Sequence, residues 1–494
     1  MPENLPPHEV FVSDAFMNAA VLRELKRGRL RKLASRLYTR NLTAPADHLV
    51  QRNLWFLVSA YMPGALVADR TALDYRAARD GSVFLVSDHK RDIELPGAIL
   101  RPRKGHPPLD SDPFMSGLRI SSPARAYLEN LRPSRARRGI ARTLSRREIE
   151  ERLDETARRG GEAALLKLRD QARTVAGELD MSKEFDQLDN LIGALLGTRE
   201  VVMVSPVAAA RANGLAYDPK RLELFEALYS ELARTPPVTR PAASGDAGVL
   251  AFFEAYFSNF IEGTEFDVDE VADIVFHGRI PKARLQDAHD VLGTWKVVSN
   301  RREMSRLPHS PEECIALLQS RHASILGGRP DKGPGLFRIA LNRAGSTVFV
   351  APELVNGTLR RGFEIYRALT SPLHRAIFMM FLVAEVHPFA DGNGRVARVM
   401  MNAELVAADE TRIIIPTVYR NNYLMALRAL SQNALAGALL RTLDFAQRYT
   451  ASLDFSDLAR ARQALEATHA FADPNEAESQ GIHLTLPKSM LISG

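Results

Sequence analysis

From Val249 to about Tyr449, apolar residues return every three or four positions in long runs, the period of helices with one buried face. Leu373 to Val386 is apolar almost all round, which predicts a buried central helix. The first half is mixed. Residues 14–28 predict a short helix with Ser13 or Asp14 as its cap and Gly28 as its stop. Leu30–Leu33 and Leu37–Arg40 alternate enough for a β-ribbon. Gln51 to Tyr61 is helical in period, Ser82–Val86 and Ile93–Leu100 predict short strands, and the proline-rich stretch 102–113 predicts a loop. Residues 145–175 form a long, charged helical pattern, and Leu222–Leu232 another helix. Thr235–Asp246, with three prolines among small polar residues, cannot continue a helix and predicts a linker and the main domain boundary. From about Ala470 the chain is polar and weakly periodic, as a frayed tail would be.

Composition narrows the classes. The chain has 494 residues, enough for about two to four domains. Hydrophobic residues are 46% and charged residues 25%, which excludes a disordered or collagen-like chain. The longest wholly apolar run is Ala376–Ala384, too short for a membrane span of about 20 residues. The N-terminus has no basic start followed by an apolar stretch, so a secretion signal is not expected and a cytoplasmic address is. The single cysteine, Cys314, excludes a disulfide framework and a multi-cysteine zinc site and reads as a small core residue.

Charge is uneven. Residues 1–150 carry a net charge of +10, so the rest of this +6 chain is −4. Residues 21–40 hold eight basic residues against Glu24 alone, and residues 130–147 hold seven arginines and no acid. Such blocks read either as solvated helix faces or as phosphate-binding surfaces.

The strongest chemistry lies in His387-Pro388-Phe389-Ala390-Asp391-Gly392-Asn393-Gly394-Arg395-Val396-Ala397-Arg398. Pro388 cannot continue the apolar helix, so His387 stands at its end. Gly392 and Gly394 flank Asn393, allowing left-handed backbone and close approach to a ligand. Helical period resumes at Val396, and the free N–H groups of that helix make an anion site. Arg395 and Arg398, three apart, project from one face of its first turn. Asp391 adds a carboxylate, which beside phosphates suggests Mg²⁺. This set suits a nucleoside triphosphate. It is not a Walker loop, and no second histidine stands at metal-hydrolase spacing. His106-Pro107 is an internal contrast, a His-Pro with no glycine loop after it.

The segment matches at every defined position the motif of Fic proteins, a family of protein adenylyltransferases, and the resemblance extends over roughly residues 249–450. Leu336–Leu341, a turn at Asn342–Gly345 and Thr347–Val350 resemble that family's β-hairpin flap. Ile413–Pro416 with Arg420 and Tyr423 resembles the segment after its motif helix. The resemblance implies His387 as the base for a target hydroxyl and Asp391 as the holder of Mg²⁺. It implies Gly392, Asn393 and Gly394 as the anion cradle, Arg395 on the outer phosphates, Arg398 on the γ-phosphate and Phe389 in the core. An unperturbed histidine titrates near pH 6.5, so His387 is expected to be neutral at pH 7 without special tuning. Gly394, intact here, favours adenylylation over the phosphotransferase branch. Upstream, Ser258-Asn259-Phe260-Ile261-Glu262-Gly263 resembles the family's inhibitory helix, which implies that Glu262 pairs with Arg398 and blocks productive ATP binding.

The first half resembles the winged helix-turn-helix of type IV abortive-infection antitoxin regulators over roughly residues 10–200. The resemblance rests on Gly28–Leu33 leading to Leu37-Tyr38, on Pro63–Val67 with Thr71–Leu73, and on Ser122–Leu128. Arg36 stands where that family has glycine before the wing tyrosine. The resemblance implies promoter binding, with Arg29, Arg31, Lys32 and Arg40 as phosphate contacts. The expected chain is therefore multidomain: a winged-helix-like segment (1–50), an antitoxin-like α/β regulatory region (51–234), a linker (235–248), a mostly α Fic domain with a hairpin flap (249–450) and a C-terminal helix and tail (451–494). The expected activity is transfer of AMP from ATP, with Mg²⁺, to a protein hydroxyl. The alternatives are a DNA-binding regulator whose Fic half senses ATP, and a toxin of a stress or phage-defence system. The expected partners are a protein substrate, promoter DNA and a second copy of the chain as a homodimer, with no membrane.

Overall fold

The structure is a computed structural model describing residues 6–136, 139–243, 248–345 and 347–487. The start of the N-terminus, Arg137 and Arg138 of the second basic block, linker residues 244–247 and the end of the expected tail lie outside the described residues. The chain divides into two compact units, Met1–Gly214 and Leu215–Gly494.

The first unit opens with β1 (Val10–Val12), α1 (Asn18–Lys26), β2 (Arg31–Ala34) and β3 (Leu37–Thr39), in an antiparallel sheet ordered β1-β3-β2. Asp14 Oδ1 accepts the amides of Phe16 and Met17 ahead of α1, and Gly28 ends the turn after it with φ 69°. The β2–β3 turn places Arg36 at φ 60°, a left-handed conformation that costs a side-chain-bearing residue but not glycine. Its Nε donates to the Ser13 carbonyl at 2.7 Å, which holds the turn. A second sheet follows with β4 (Leu66–Val67), β5 (Ser82–Val86), β6 (Ile93–Leu95), β7 (Ala98–Arg103), β8 (Phe114–Met115) and β9 (Leu118–Ile120), ordered β6-β7-β5-β4-β9-β8. The strand expected over 93–100 is thus a hairpin, because Pro96-Gly97 turns the chain with Gly97 at φ 71°. The long helix α2 (Arg146–Leu179) starts on a reciprocal Ser145–Glu148 capping box and is broken at Gly161, whose φ/ψ is not helical.

In the second unit α3 (Pro219–Arg234) comes first. Phe225, Leu228 and Leu232 are fully buried in the same core as the central helix, so the unit begins before the proline-rich stretch. The boundary expected at 235–248 is therefore too late. That stretch is tied into the unit itself: Arg240 bonds Asp444 (2.8 Å) and Gln447 (2.7 Å). Next come α4 (Val249–Ile261), α5 (Leu285–Val298), α6 (Pro311–Ile325), α7 (Pro372–Val386) and α8 (Asn393–Ala407). Phe378, Met379, Met380, Phe381 and Leu382 of α7 are wholly buried. The hairpin is shorter than expected: only β10 (Arg343–Ala344) and β11 (Thr347–Val348) pair, and Leu336–Leu341 is irregular. The expected tail is also ordered past Ala470, since Asp473 caps a helix over Pro474–Gln480 and Ala470 and Ala477 are buried. Among the described residues no helix is long and apolar enough to cross a membrane.

Candidate active site

The site grows from the end of α7. His387 closes that helix in the left-handed region (φ 53°, ψ 58°), and its amide still donates to the Val383 carbonyl at 3.0 Å. Such a conformation persists in a non-glycine residue only when its surroundings hold it. Arg338 does so: Nε donates to the His387 carbonyl at 2.7 Å and its amide to the Pro388 carbonyl at 2.9 Å. Further bonds run from its guanidinium to the Ala340 and Val350 carbonyls. Those bonds draw Leu336–Leu341 onto the motif instead of into a strand ladder.

The His387 ring is confined on one face by Phe349, which lies flat on it with 3.7 Å between centroids and 7° between planes. Its Nδ1 is 3.3 Å from the Ala384 carbonyl, so the hydrogen sits on Nδ1 and the Nε2 lone pair is the basic one. Burial pushes its pKa down to about 4; the Ala384 hydrogen bond opposes this and the Arg338 charge adds to it. His387 is neutral at pH 7 as expected, but through desolvation and not by default.

After Pro388 the chain turns back on itself. The Asn393 side chain accepts the Phe389 amide and donates to the Phe389 carbonyl, both at 2.8 Å. Asn393 thus serves the cradle by closing the loop, and what it can offer an anion is its backbone N–H. Gly392 has φ 73°, and a Cβ there would meet Leu326 at 2.5 Å. The first bond of α8 runs from Val396 to the Gly392 carbonyl, and no side chain caps the terminus. The amides of Asn393, Gly394 and Arg395 therefore have no helical partner and can bind an anion. Asp391 keeps 37% of its side chain exposed beside them, with Oδ1 accepting the Gly392 amide at 2.6 Å. No group of three or more metal-ligating side chains occurs among the described residues. Asp391 could hold a cation together with oxygens of a ligand.

The two arginines differ. Arg395 is buried, its Nη1 2.5 Å from Asp290 Oδ2 on α5, a carboxylate with no exposure that also meets Arg329 at 2.7 Å. Arg395 Nε is buried without a protein partner. Arg398 donates from Nε to Ser258 Oγ (3.0 Å), and from Nη2 to the Ser258 carbonyl (2.8 Å) and Glu262 Oε1 (2.7 Å). Burial alone would lower the Arg398 pKa, but the Glu262 carboxylate overrides it and the pKa is raised. Glu262 is held in place through α4, whose end is bonded by Arg420 to the Ile261 carbonyl at 3.1 Å and whose middle is anchored by Arg412 to Glu254 at 2.7 Å. A Cβ on Gly394 would stand 2.1 Å from Glu262 Oε1.

His387, Asp391, the 392–394 backbone, Arg395, Arg398, Ser258 and Glu262 are thus brought together. Arg29, Arg31, Lys32 and Arg40 belong to the other unit. Arg31 donates to the Leu42 and Ala44 carbonyls and Arg40 to those of Pro6 and His8, while Arg29 is exposed with Glu24 at 3.7 Å. Sequence reading missed Asp290, Arg338, Phe349 and His322. A charged residue between apolar neighbours, as in Phe337-Arg338-Ile339, is the signal that could have found Arg338.

Residues 314–405, from α6 through the motif, match the model of the Fic/DOC family. The chain carries a Fic domain. Among curated relatives, the protein adenylyltransferase fic-1 of Caenorhabditis briggsae is 27% identical over 230 residues, 45% of either chain. A Fido domain-containing protein of Dictyostelium discoideum is 36% identical over 76 residues, 14% of this chain and 53% of that one. The chain thus spans about half the length of these relatives. A solved structure of Fic-1 from Caenorhabditis elegans aligns over 65% of this chain and 97% of its own at 17% identity with a TM-score of 0.36, which adds nothing to the assignment.

Proposed function

We propose that this Fic domain transfers AMP from ATP to a protein hydroxyl and that Glu262 restrains it. The observation that carries the reading is the joining, at one helix N-terminus, of a neutral imidazole, three unpartnered amides and an Arg395 Nε with no protein partner. The amides and Arg395 take the triphosphate. Nε2 of His387 takes the proton of the target hydroxyl while its oxygen bonds to the α-phosphorus. The bond from that phosphorus to the bridging oxygen breaks, and pyrophosphate leaves. Positioning and charge neutralisation supply most of the rate in such a displacement. Asp391 would hold Mg²⁺, which takes one or two carboxylates plus phosphate oxygens and supplies charge neutralisation. With Glu262 on Arg398, the guanidinium is withheld from the γ-phosphate. That curated relatives matching this region are protein adenylyltransferases supports a protein as acceptor. The test is self-labelling of the purified chain with ATP labelled at the α-phosphate, comparing wild type with Glu262→Gly. No incorporation by either form would overturn the reading.

The first unit supports a second role, DNA binding. Lys32 on β2 and Arg29 in the connection between α1 and β2 are exposed to solvent. Titration of the full chain with duplex DNA across salt concentrations tests it.

A further inference from the structure

His322 lies in α6, outside the motif, with no solvent exposure. Three of its surfaces are engaged. Nδ1 is 2.8 Å from the Gly335 amide. Nε2 is 3.0 Å from the Asp391 carbonyl. The ring lies flat on Phe389, with centroids 3.8 Å apart and 2° between planes. An amide can only donate, so Nδ1 is the acceptor, the hydrogen is on Nε2, and Nε2–H donates to the Asp391 carbonyl.

That bond fixes a peptide plane. In a trans peptide the carbonyl and the following N–H point in opposite directions. Holding the Asp391 carbonyl toward α6 therefore turns the Gly392 N–H the other way, where Asp391 Oδ1 accepts it at 2.6 Å. The same bond keeps a carbonyl oxygen, which would repel phosphate, from facing the unpartnered amides of α8. Gly392 needs no side chain to permit this and could not carry one, since a Cβ would strike Leu326. Phe389 and Gly335, the other two contacts of His322, bring the start of the motif loop and the approach to Arg338 onto the same ring.

We propose that His322 is a positioning residue that sets the affinity of the loop for metal-bound nucleotide without touching the nucleotide. The inference rests on the reading of Asp391 and residues 392–394 as the Mg·ATP site. A purely structural role would lower stability or kcat without a selective change in nucleotide binding. Loss of one net hydrogen bond of about 0.5–1.5 kcal/mol corresponds to a two- to tenfold change.

The test uses the full chain in the Glu262→Gly background. His322→Phe keeps the ring and removes both hydrogen bonds; His322→Gln keeps an N–H donor on a flexible arm. Binding of Mg²⁺ with a non-hydrolysable ATP analogue is measured by calorimetry, and self-labelling is followed across ATP and Mg²⁺ concentrations. The expected result is about two- to tenfold weaker binding and higher KM in His322→Phe, kcat within about twofold, and recovery of most of the affinity in His322→Gln. Should His322→Phe fail to fold, His322→Leu takes its place with the same expectation. Unchanged binding in the bond-deleting variant, a fall in kcat with KM unmoved, or His322→Gln as weak as His322→Phe would overturn the proposal. Failure of the Glu262→Gly parent itself to bind the analogue would instead overturn the reading of the site.

Discussion

Glu262 Oε1 lies 2.7 Å from Arg398 Nη2, although 136 positions separate the two residues in the chain. Arg398 is almost fully buried and Glu262 keeps 28% of its side chain exposed, so the carboxylate is the partner that can leave. Ser258 holds the guanidinium at two further points and would keep it in place afterwards. Charge-assisted bonds of this kind contribute about 1.5–3 kcal/mol. Glu262→Gly is therefore expected to raise self-labelling on the order of ten- to a hundredfold at saturating ATP. Adding Arg398→Ala should abolish that gain. A double variant as active as Glu262→Gly alone would show that Arg398 is not what Glu262 withholds.

His387→Ala, made in the Glu262→Gly background, should lose about 10²–10⁴-fold of the transfer rate while the ATP analogue still binds, because the imidazole acts on the hydroxyl. The pH profile is the sharper measurement. With the base at about pKa 4, the rate should stay level from about pH 8 to about pH 5 and halve only near pH 4, not near pH 6.5.

Stability should follow pH in a stated direction. A buried imidazole that is neutral in the fold and titrates near pH 6.5 when unfolded contributes stability that is complete above pH 6.5. That contribution is lost as pH falls toward 4, because the unfolded chain then binds the proton first. Urea midpoints measured across that range should fall with pH, and by less in His387→Ala than in the parent.

Asp290 predicts a large structural effect. Its carboxylate stands between Arg395 and Arg329 with no exposure. Removing the shared carboxylate from such a buried cluster costs at most about 3–5 kcal/mol, because Arg329 keeps Asp287 at 3.1 Å and Arg395 keeps Asp391 at 3.6 Å. Asp290→Ala should show this in urea denaturation and should also weaken Mg·ATP binding by freeing Arg395 from its position. A stability change under about 1 kcal/mol would show that the cluster relaxes around the loss.

In the first unit, the four arginine and lysine candidates for DNA contact should separate into two pairs. Arg29→Ala and Lys32→Ala are each expected to lower the salt slope of duplex binding by about 0.9. Arg31→Ala should instead lower stability, since its guanidinium bonds the Leu42 and Ala44 carbonyls. Equal slope losses in all four would contradict the bonding seen here.

The motif was legible because its chemistry is local. Twelve consecutive residues contain the proposed base, the loop glycines and both arginines, and α7 and α8 on either side announce themselves by period. What stayed hidden depends on tertiary contact. Nothing near Asp290 in sequence says that it meets Arg395, and nothing near His322 says that it meets Asp391. The domain boundary was misplaced for a related reason: proline marks where a helix stops, while Phe225 and Leu228 decide which core it joins. Arg36 shows the converse, a side-chain-bearing residue in a left-handed turn where glycine would be easier.

Gly394 joins the two halves of this design at one missing atom. The space in which a side chain would sit is filled by Glu262 Oε1, 2.1 Å from where a Cβ would be, and the same residue presents one of the unpartnered amides of α8. Any side chain at 394 would therefore crowd the Glu262 carboxylate and the unpartnered amides of α8 together. On the proposed reading, variation in how tightly Glu262 restrains transfer is expected in the Ser258–Gly263 segment at the end of α4 and not at 394. Homologues that differ in basal activity should accordingly differ there while keeping glycine at 394.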